Sequence, residues 1–338
     1  MKIKKLAYRA ETYVFILFIL FVFIVQFRSG VFFTGNNIVG ILRSMIVPLT
    51  YALCAYLALI STGPDVSFPM IAALSTFLSI EIITNIGYEG PIILVYLIAM
   101  GFGLLMGMVN GFIIAKYNFP SLIVTLATSA IFTGLLFGTF EAMRRDLPSI
   151  MLDFGRTSLI HNPIINMENI QIRLPYAMLI VVALYLIAYF VLNKTMVGRS
   201  VFAVGGDEIS AERAGFKVPA IRFGVFAVNG VIAAIAGVSY SVMTPMFFPV
   251  EFPGTEMIVI AAVVLGGTSL RGGHGTLIGC ILGTLLLTTM SNSLILLGVP
   301  AYYQRLVIGI VIVIGTATSA ILSDKTLFRR NKKVLTAK

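Results

Sequence analysis

The sequence predicts an all-α polytopic membrane protein of about ten transmembrane helices, some of them broken, in a single domain over residues 1–338. Three observations carry that prediction. Apolar runs close to the roughly 20 residues that a helix needs to cross a bilayer recur along the whole chain. Only 11% of the residues are charged and 58% are hydrophobic, where soluble domains carry about a quarter charged residues. The alternation over ~10 residues that marks a barrel strand is missing. Cys54 and Cys280 both lie inside apolar runs, so they read as small packing residues, with no disulfide framework or metal spacing.

The candidate spans are 12–28, 45–62, 67–85, 91–115, 120–140, 174–193, 222–243, 256–270, 275–297 and 302–322. The first follows Lys2, Lys4, Lys5 and Arg9 and leaves through Gln26-Phe27-Arg28-Ser29-Gly30 without a small-x-small cleavage site, so it is expected to be a retained span. Pro48, Pro69 and Pro120 lie in or at the edge of runs and predict kinked or broken helices. Placing the N-terminus in the cytoplasm puts 17 of the 24 Lys and Arg residues inside, with 6 of the 14 acidic ones. By the positive-inside rule both termini are then cytoplasmic. The net charge of +10 is therefore a topology signal. No basic face interleaves with aromatic residues, which argues against nucleic acid as a partner.

Two segments outside the membrane stand out. Residues 194–222 hold Lys194, Arg199, Asp207, Glu208, Glu212, Arg213, Lys217 and Arg222. A membrane protein that concentrates charge in one internal loop presents that loop to something soluble, and the expectation is a docking surface for an energy-supplying partner. Residues 141–173 fall outside the cell and contain Arg144, Arg145, Asp146, Asp153, Arg156, His161 and Glu168. Three roles stay open for them: a cap on the outer mouth, a contact for a soluble donor, or a passive connector.

Gly103, Gly107 and Gly111 line one helix face, as do Gly275, Gly279 and Gly283, and such stripes let backbones approach closely. They fall in the fourth and ninth spans, equivalent positions in a 5 + 5 inverted duplication. Between the second and third spans, Ser61-Thr62-Gly63-Pro64-Asp65-Val66-Ser67-Phe68-Pro69 stops a helix and offers polar groups. Asp65 there is either a pathway or gate residue at membrane depth or an ordinary loop aspartate capping a helix. Leu265-Gly266-Gly267-Thr268-Ser269-Leu270-Arg271-Gly272-Gly273-His274-Gly275 is glycine-rich, but without the lysine of a phosphate loop it reads as a tight re-entrant turn. Arg271 there is an anchor or partner contact, and His274 is structural. Asn110, Thr125, Thr128, Asn229 and Glu256 are polar residues in or at the ends of spans, suited to interhelical bonding or to lining a pore. No Ser/His/Asp set or metal cluster emerges, so the chain is not read as an enzyme.

Four ordered segments resemble bacterial ABC-importer permeases of the ribose/monosaccharide branch, which also includes autoinducer-2 permeases. Val197 to Asp207 with Ala211-Glu212-Arg213-Ala214-Gly215-Phe216 is similar to that family's cytoplasmic coupling loop. Ser61–Pro69 resembles its Gly-Gly-Ile-Asp-Leu-Ser-Val-Gly segment, with Thr62-Gly63-Pro64-Asp65 and Phe68-Pro69 as departures that change the local backbone and loosen the link to ribose itself. Leu265–Gly275 resembles its Leu-Gly-Gly-Thr-Ser-Leu-x-Gly-Gly-x-Gly segment. Leu296-Leu297-Gly298-Val299-Pro300-Ala301-Tyr302-Tyr303-Gln304 resembles its Leu-Leu-Gly-Val-x-x-Tyr-Tyr-Gln segment.

The resemblance implies a transmembrane permease subunit of an ATP-binding-cassette importer for a monosaccharide-type solute, in a bacterial cell membrane. It implies a second permease chain, identical or related, two cytoplasmic ATPase domains and an extracytoplasmic sugar-binding protein. This chain would bind no cofactor, and ATP with Mg²⁺ would be held by the ATPase partners. The expected coupling residues are Gly205, Asp207, Glu208, Glu212, Arg213 and Gly215: the charged ones pairing with the partner, the glycines allowing the turn between short helices, and Gly215 tolerating bulk poorly. The expected pathway residues are Asp65, Ser67, Asn110, Thr125, Asn229 and Thr268. The alternative is an ion-coupled secondary transporter of a small polar solute, with Asp65 or Glu256 as the proton or sodium site.

Overall fold

The computed structural model describes residues 10–161, 173–300 and 302–317. Glu168 and the tails 1–9 and 318–338 lie outside the described residues, and with the tails go ten of the basic residues assigned to the inner face. Thirteen helices carry the described fold: α1 (Ala10–Ser29), α2 (Gly35–Ser61), α3 (Phe68–Asn85), α4 (Ile93–Tyr117), α5 (Ser121–Gly134), α6 (Ser149–Arg156), α7 (Ala177–Lys194), α8 (Met196–Gly206), α9 (Glu208–Arg213), α10 (Val218–Met243), α11 (Thr255–Leu265), α12 (Leu277–Ser293) and α13 (Tyr302–Ala317). Among the described residues seven helices are long and apolar enough to cross a membrane, α12 and α13 being shorter apolar ones. Every expected span has its helix.

The differences are local. The second helix begins at Gly35, ten residues before its apolar core, because Thr34 caps it by accepting from Asn37 N. Pro48 sits inside that helix, whereas Pro69 and Pro120 stand at helix starts, where a missing N–H costs nothing. α11 stops at Leu265 after 11 residues, about 16 Å of helix at 1.5 Å per residue, which is half a bilayer. Gly266 and Gly267 end it, Gly267 at φ +96°.

α2, α3 and α10 form the centre and α1, α5 and α7 the periphery; 72% of the α3 span is buried against 17% of α1. The tightest crossing joins α4 to α10. A Cβ on Gly103 would stand 2.3 Å from the Gly230 carbonyl oxygen, one on Gly107 2.4 Å from that of Phe226, and one on Gly111 2.7 Å from that of Phe223. Lipid gives helices no hydrophobic reason to associate, so backbone contact through small residues supplies the attraction. Gly107→Val is therefore expected to wedge α4 from α10, costing about 3 kcal/mol. Gly101→Val, on the same helix with nothing within 4 Å, is the matched control. Thermal unfolding of the two variants in detergent checks this.

The second glycine set behaves differently. Gly283 closes on Ala262 of α11, and Gly279 on Gly266 just past its end. In an inverted duplication the pairing of the fourth span with the seventh maps onto the ninth with the second. That pairing exists: Cys280 Sγ lies 3.5 Å from the Ala52 carbonyl and Tyr56 Oη donates to the Gly275 carbonyl at 3.3 Å. The two glycine stripes are not its equivalent parts.

The described part of segment 141–173 is folded onto the helices. Arg145–Asp146 pairs antiparallel with Met246–Phe247, and Ser158–His161 pairs with Arg173–Pro175. Arg145 meets Glu81 at 3.3 Å, and Phe154 of α6 sets its ring edge-on to Tyr96, centroids 6.3 Å apart. The described part of the segment lies against the ends of α3, α4 and α10.

Candidate functional site

The charged segment 194–222 is helical over most of its length. Thr195 caps α8 by accepting from Gly198 N. Asp207 ends α8 and starts α9, its Oδ1 accepting from Ile209 N at 3.1 Å and Ser210 N at 3.4 Å, and its Oδ2 from Ser210 Oγ at 2.6 Å. α9 closes with Phe216 N on the Ala211 carbonyl and Gly215 at φ +88°, a left-handed cap that glycine adopts without strain. The seventh span begins at Val218, so Arg222 lies within α10. It pairs with Glu208 at 2.7 Å and bonds Asn118.

This geometry revises the expected roles. Asp207 is a helix cap, and Glu208 is held by Arg222 within the chain. Nothing lies within 4 Å of a Cβ built on Gly215, so the obstacle to substitution there is the backbone angle, with space to spare for bulk. Glu212 and Arg213 are exposed. Met196, Val197 and Ile209 were not expected; each is about 60% exposed on the same short helices. Apolar residues in a charged loop were the available signal.

Bonds from Ser210 hold the Asp207 carboxyl below the usual carboxylate range. A lowered folded-state value means the cap is fully present above the ordinary aspartate pKa of about 3.9 and is lost as pH falls through the lowered value. Amide exchange at Ile209 and Ser210 is expected to stay slow down to about pH 4 and to quicken below it, and Asp207→Asn removes that step.

Gly205 is a contact point rather than a turn. A Cβ there would lie 2.0 Å from the Ile60 carbonyl oxygen and 2.7 Å from Gly273 N. Gly273 N donates to the Ile60 carbonyl at 3.1 Å. A Cβ on Gly272 would lie 2.3 Å from the Gly205 carbonyl oxygen. Three backbones thus touch without side chains between them: the end of α8, the end of α2, and the turn 266–275. Gly272 and Gly273 of that turn are in the left-handed region, at φ +90° and +67°.

Just beyond the end of α2 lies a buried polar cluster. Asp65 Oδ1 accepts from Ser67 N at 2.8 Å and Ser67 Oγ at 2.7 Å, while Asn229 Nδ2 reaches Asp65 Oδ2 at 3.4 Å and the Cys54 carbonyl at 3.0 Å. Asn110 Nδ2 donates to Ser67 Oγ at 2.8 Å, and Val66 N to Thr125 Oγ1 at 3.2 Å. Five of the six expected pathway residues therefore meet in one network joining α4, α5 and α10 to the break between α2 and α3. All five are at most 1% exposed, so in this conformation the cluster is shut. Thr268 stands apart beside Gly275, buried, with its hydroxyl unpartnered. Asp65 is buried rather than on a surface loop, and it also bonds Ser67 N ahead of α3. Among the described residues no group of three or more His, Cys, Asp or Glu is placed to hold a metal.

A path of direct contacts follows. It runs from the exposed α8–α9 pair through Gly205 to the end of α2, and from there to the buried Asp65 network. At the contact of α8 with the end of α2, backbone meets backbone with no flexible side chain between them.

The chain is similar to known permeases. The family described as branched-chain amino acid transport system / permease component matches residues 37–315. The ribose import permease protein RbsC of Haemophilus influenzae is 30% identical over 313 residues, 93% of this chain and 94% of that one. RbsC of Bacillus subtilis is 32% identical over 299 residues, 88% and 89% of the two chains. The L-arabinose ABC transporter permease protein AraH of Azospirillum brasilense is 30% identical over 313 residues, 89% and 83%. No solved structure matches the chain.

Proposed function

The chain belongs to the family of branched-chain amino acid transport system / permease components, and from that premise we propose that it is the membrane-spanning subunit of an ATP-driven importer for a monosaccharide. The relatives named above are permeases for ribose and arabinose, which favours a sugar over an amino acid. Two copies of the chain, or this chain and a related one, form the pathway. A soluble binding protein delivers the sugar outside, and two ATPase subunits grip α8 and α9 in the cytoplasm, with both termini on that side.

The observation that carries this reading is the backbone contact of Gly205 with Ile60 and Gly273. ATP binding draws the ATPases together, α8 moves with them, and the break at 62–67 shifts the Asp65 network, so that access alternates. On the docking face Ile209, Met196 and Val197 supply apolar area, while Glu212 and Arg213 supply rim charge. Exposed charge pairs contribute ~0–1 kcal/mol each, so fit of the apolar residues outweighs any single charge.

Cross-linking tests the docking assignment. Ile209→Cys in the assembled importer is expected to cross-link to the ATPase subunit, and Ile93→Cys, exposed at the other end of α4, is not. Cross-linking of Ile209→Cys to the external binding protein instead would invert the topology and end the reading.

A further inference from the structure

A cavity of about 280 Å³ lies between α2, α11 and α12 and shares no lining residue with the Gly205 junction, near the lower bound of roughly 300 Å³ for small-molecule pockets. Three helix faces build it, each at helical spacing. α12 presents Thr284, Thr288, Ser291 and Asn292; α2 presents Ser44, Val47, Pro48 and Tyr51; α11 presents Thr255, Ile258, Val259 and Ala262. None of these residues is charged. Arg43 and Glu256, next in sequence to lining residues, bond elsewhere: Arg43 donates to the Met243 carbonyl at 2.9 Å, and Glu256 accepts from Gly254 N at 3.0 Å.

Two of the lining residues hold buried polar atoms without partners, Tyr51 Oη and Asn292 Nδ2, and Tyr51 is only 3% exposed. A third group joins them. Pro48 has no N–H, so the Ser44 carbonyl lacks the donor that helix geometry would bring it. Buried polar groups left unmatched call for an explanation, and a bound solute is one. A donor, an acceptor and a hydroxyl that does both, beside an aromatic ring and apolar walls, match a compound with several hydroxyls and no charge. A zwitterionic amino acid would leave both its charges unmatched here.

We propose that this cavity is a solute site of the chain, taking an uncharged polyhydroxy compound of monosaccharide size, with Tyr51 and Asn292 as its hydrogen-bonding residues. The proposal rests on the transport reading above and adds a place and two residues to it.

The test uses the complete importer in vesicles. Ser291→Cys is labelled with a charged thiosulfonate; Cys54 and Cys280 are fully buried, so the parent gives a low background. D-ribose or L-arabinose at saturation is expected to slow labelling about tenfold, as occupancy by a ligand of matched size would, and L-leucine is not. Tyr51→Phe and Asn292→Leu are each expected to raise the half-saturating sugar concentration about three- to tenfold, the loss of one hydrogen bond, with maximal rate and ATPase association retained. Tyr51→Phe keeps the ring contact with Phe68, centroids 5.1 Å apart, so it guards against misfolding. ATP-driven sugar uptake without protection of Ser291→Cys, or protection by L-leucine alone, would overturn the site while leaving the transport reading in place. Failure of the unmodified importer to take up any sugar would overturn both.

Discussion

Gly205→Ala is expected to abolish sugar uptake by the assembled importer while the chain still inserts and still binds its ATPase. The added methyl would stand 2.0 Å from the Ile60 carbonyl oxygen and 2.7 Å from Gly273 N, both backbone atoms that cannot rotate away. α8 must then lift from α2. Overpacking of this kind costs about 3 kcal/mol, and, placed on the element that transmits motion, it corresponds to a loss of roughly a hundredfold in coupled rate. Ile209 and Met196, the proposed docking residues, are exposed and are not among the atoms this methyl would meet, so ATPase binding is expected to persist and hydrolysis to run without transport. Gly206→Ala is the internal control, its Cβ meeting only Gly273 Cα at 3.9 Å. Uptake and ATPase rates measured on the two variants decide; equal uptake would remove Gly205 from the coupling path.

Asp65→Asn is expected to lower uptake about ten- to a hundredfold with assembly intact. Both carboxylate oxygens accept: one from Ser67 N and Oγ, the other from Asn229. An amide offers one acceptor and one NH₂, so in either orientation a donor faces a donor. Burying such a mismatch costs about 1–3 kcal/mol. Because the network ties the break at 62–67 to α4 and α10, its loss falls on the moving part. A double-mutant cycle with Asn229→Ala provides the check. Coupling above about 0.5 kcal/mol places the two residues in one network, and additivity separates them.

Much of this was legible in the sequence. Apolar runs located a helix for each of the ten expected spans, because in lipid a backbone must satisfy its own hydrogen bonds and present apolar side chains. Asn110, Thr125 and Asn229 were found as polar exceptions in those runs, and Asp65 and Ser67 in the break between two of them; burial brings the five together. Charge density marked 194–222. What composition hid was whatever depends on partners distant in sequence. Gly205 looked like a hinge, since nothing local reveals Ile60 and Gly273 against it. Asp207 and Glu208 looked like docking charges, since Ser210 and Arg222 claim them only once α9 and α10 form. Thr268 shares the polarity of the Asp65 group, yet the turn carries it to Gly275. The cavity was invisible because Tyr51, Thr255 and Asn292 come from three separate helices.

The account stands on a passive chain driven from outside the membrane, and purified vesicles test it. With this chain and its ATPase subunits in the bilayer, and binding protein and labelled D-ribose or L-arabinose on the outer side, sugar is expected to accumulate only when ATP is inside. The chain alone is expected to accumulate none under a proton or sodium gradient. Uphill accumulation by the chain alone under either gradient would contradict the account and make this an ion-coupled carrier.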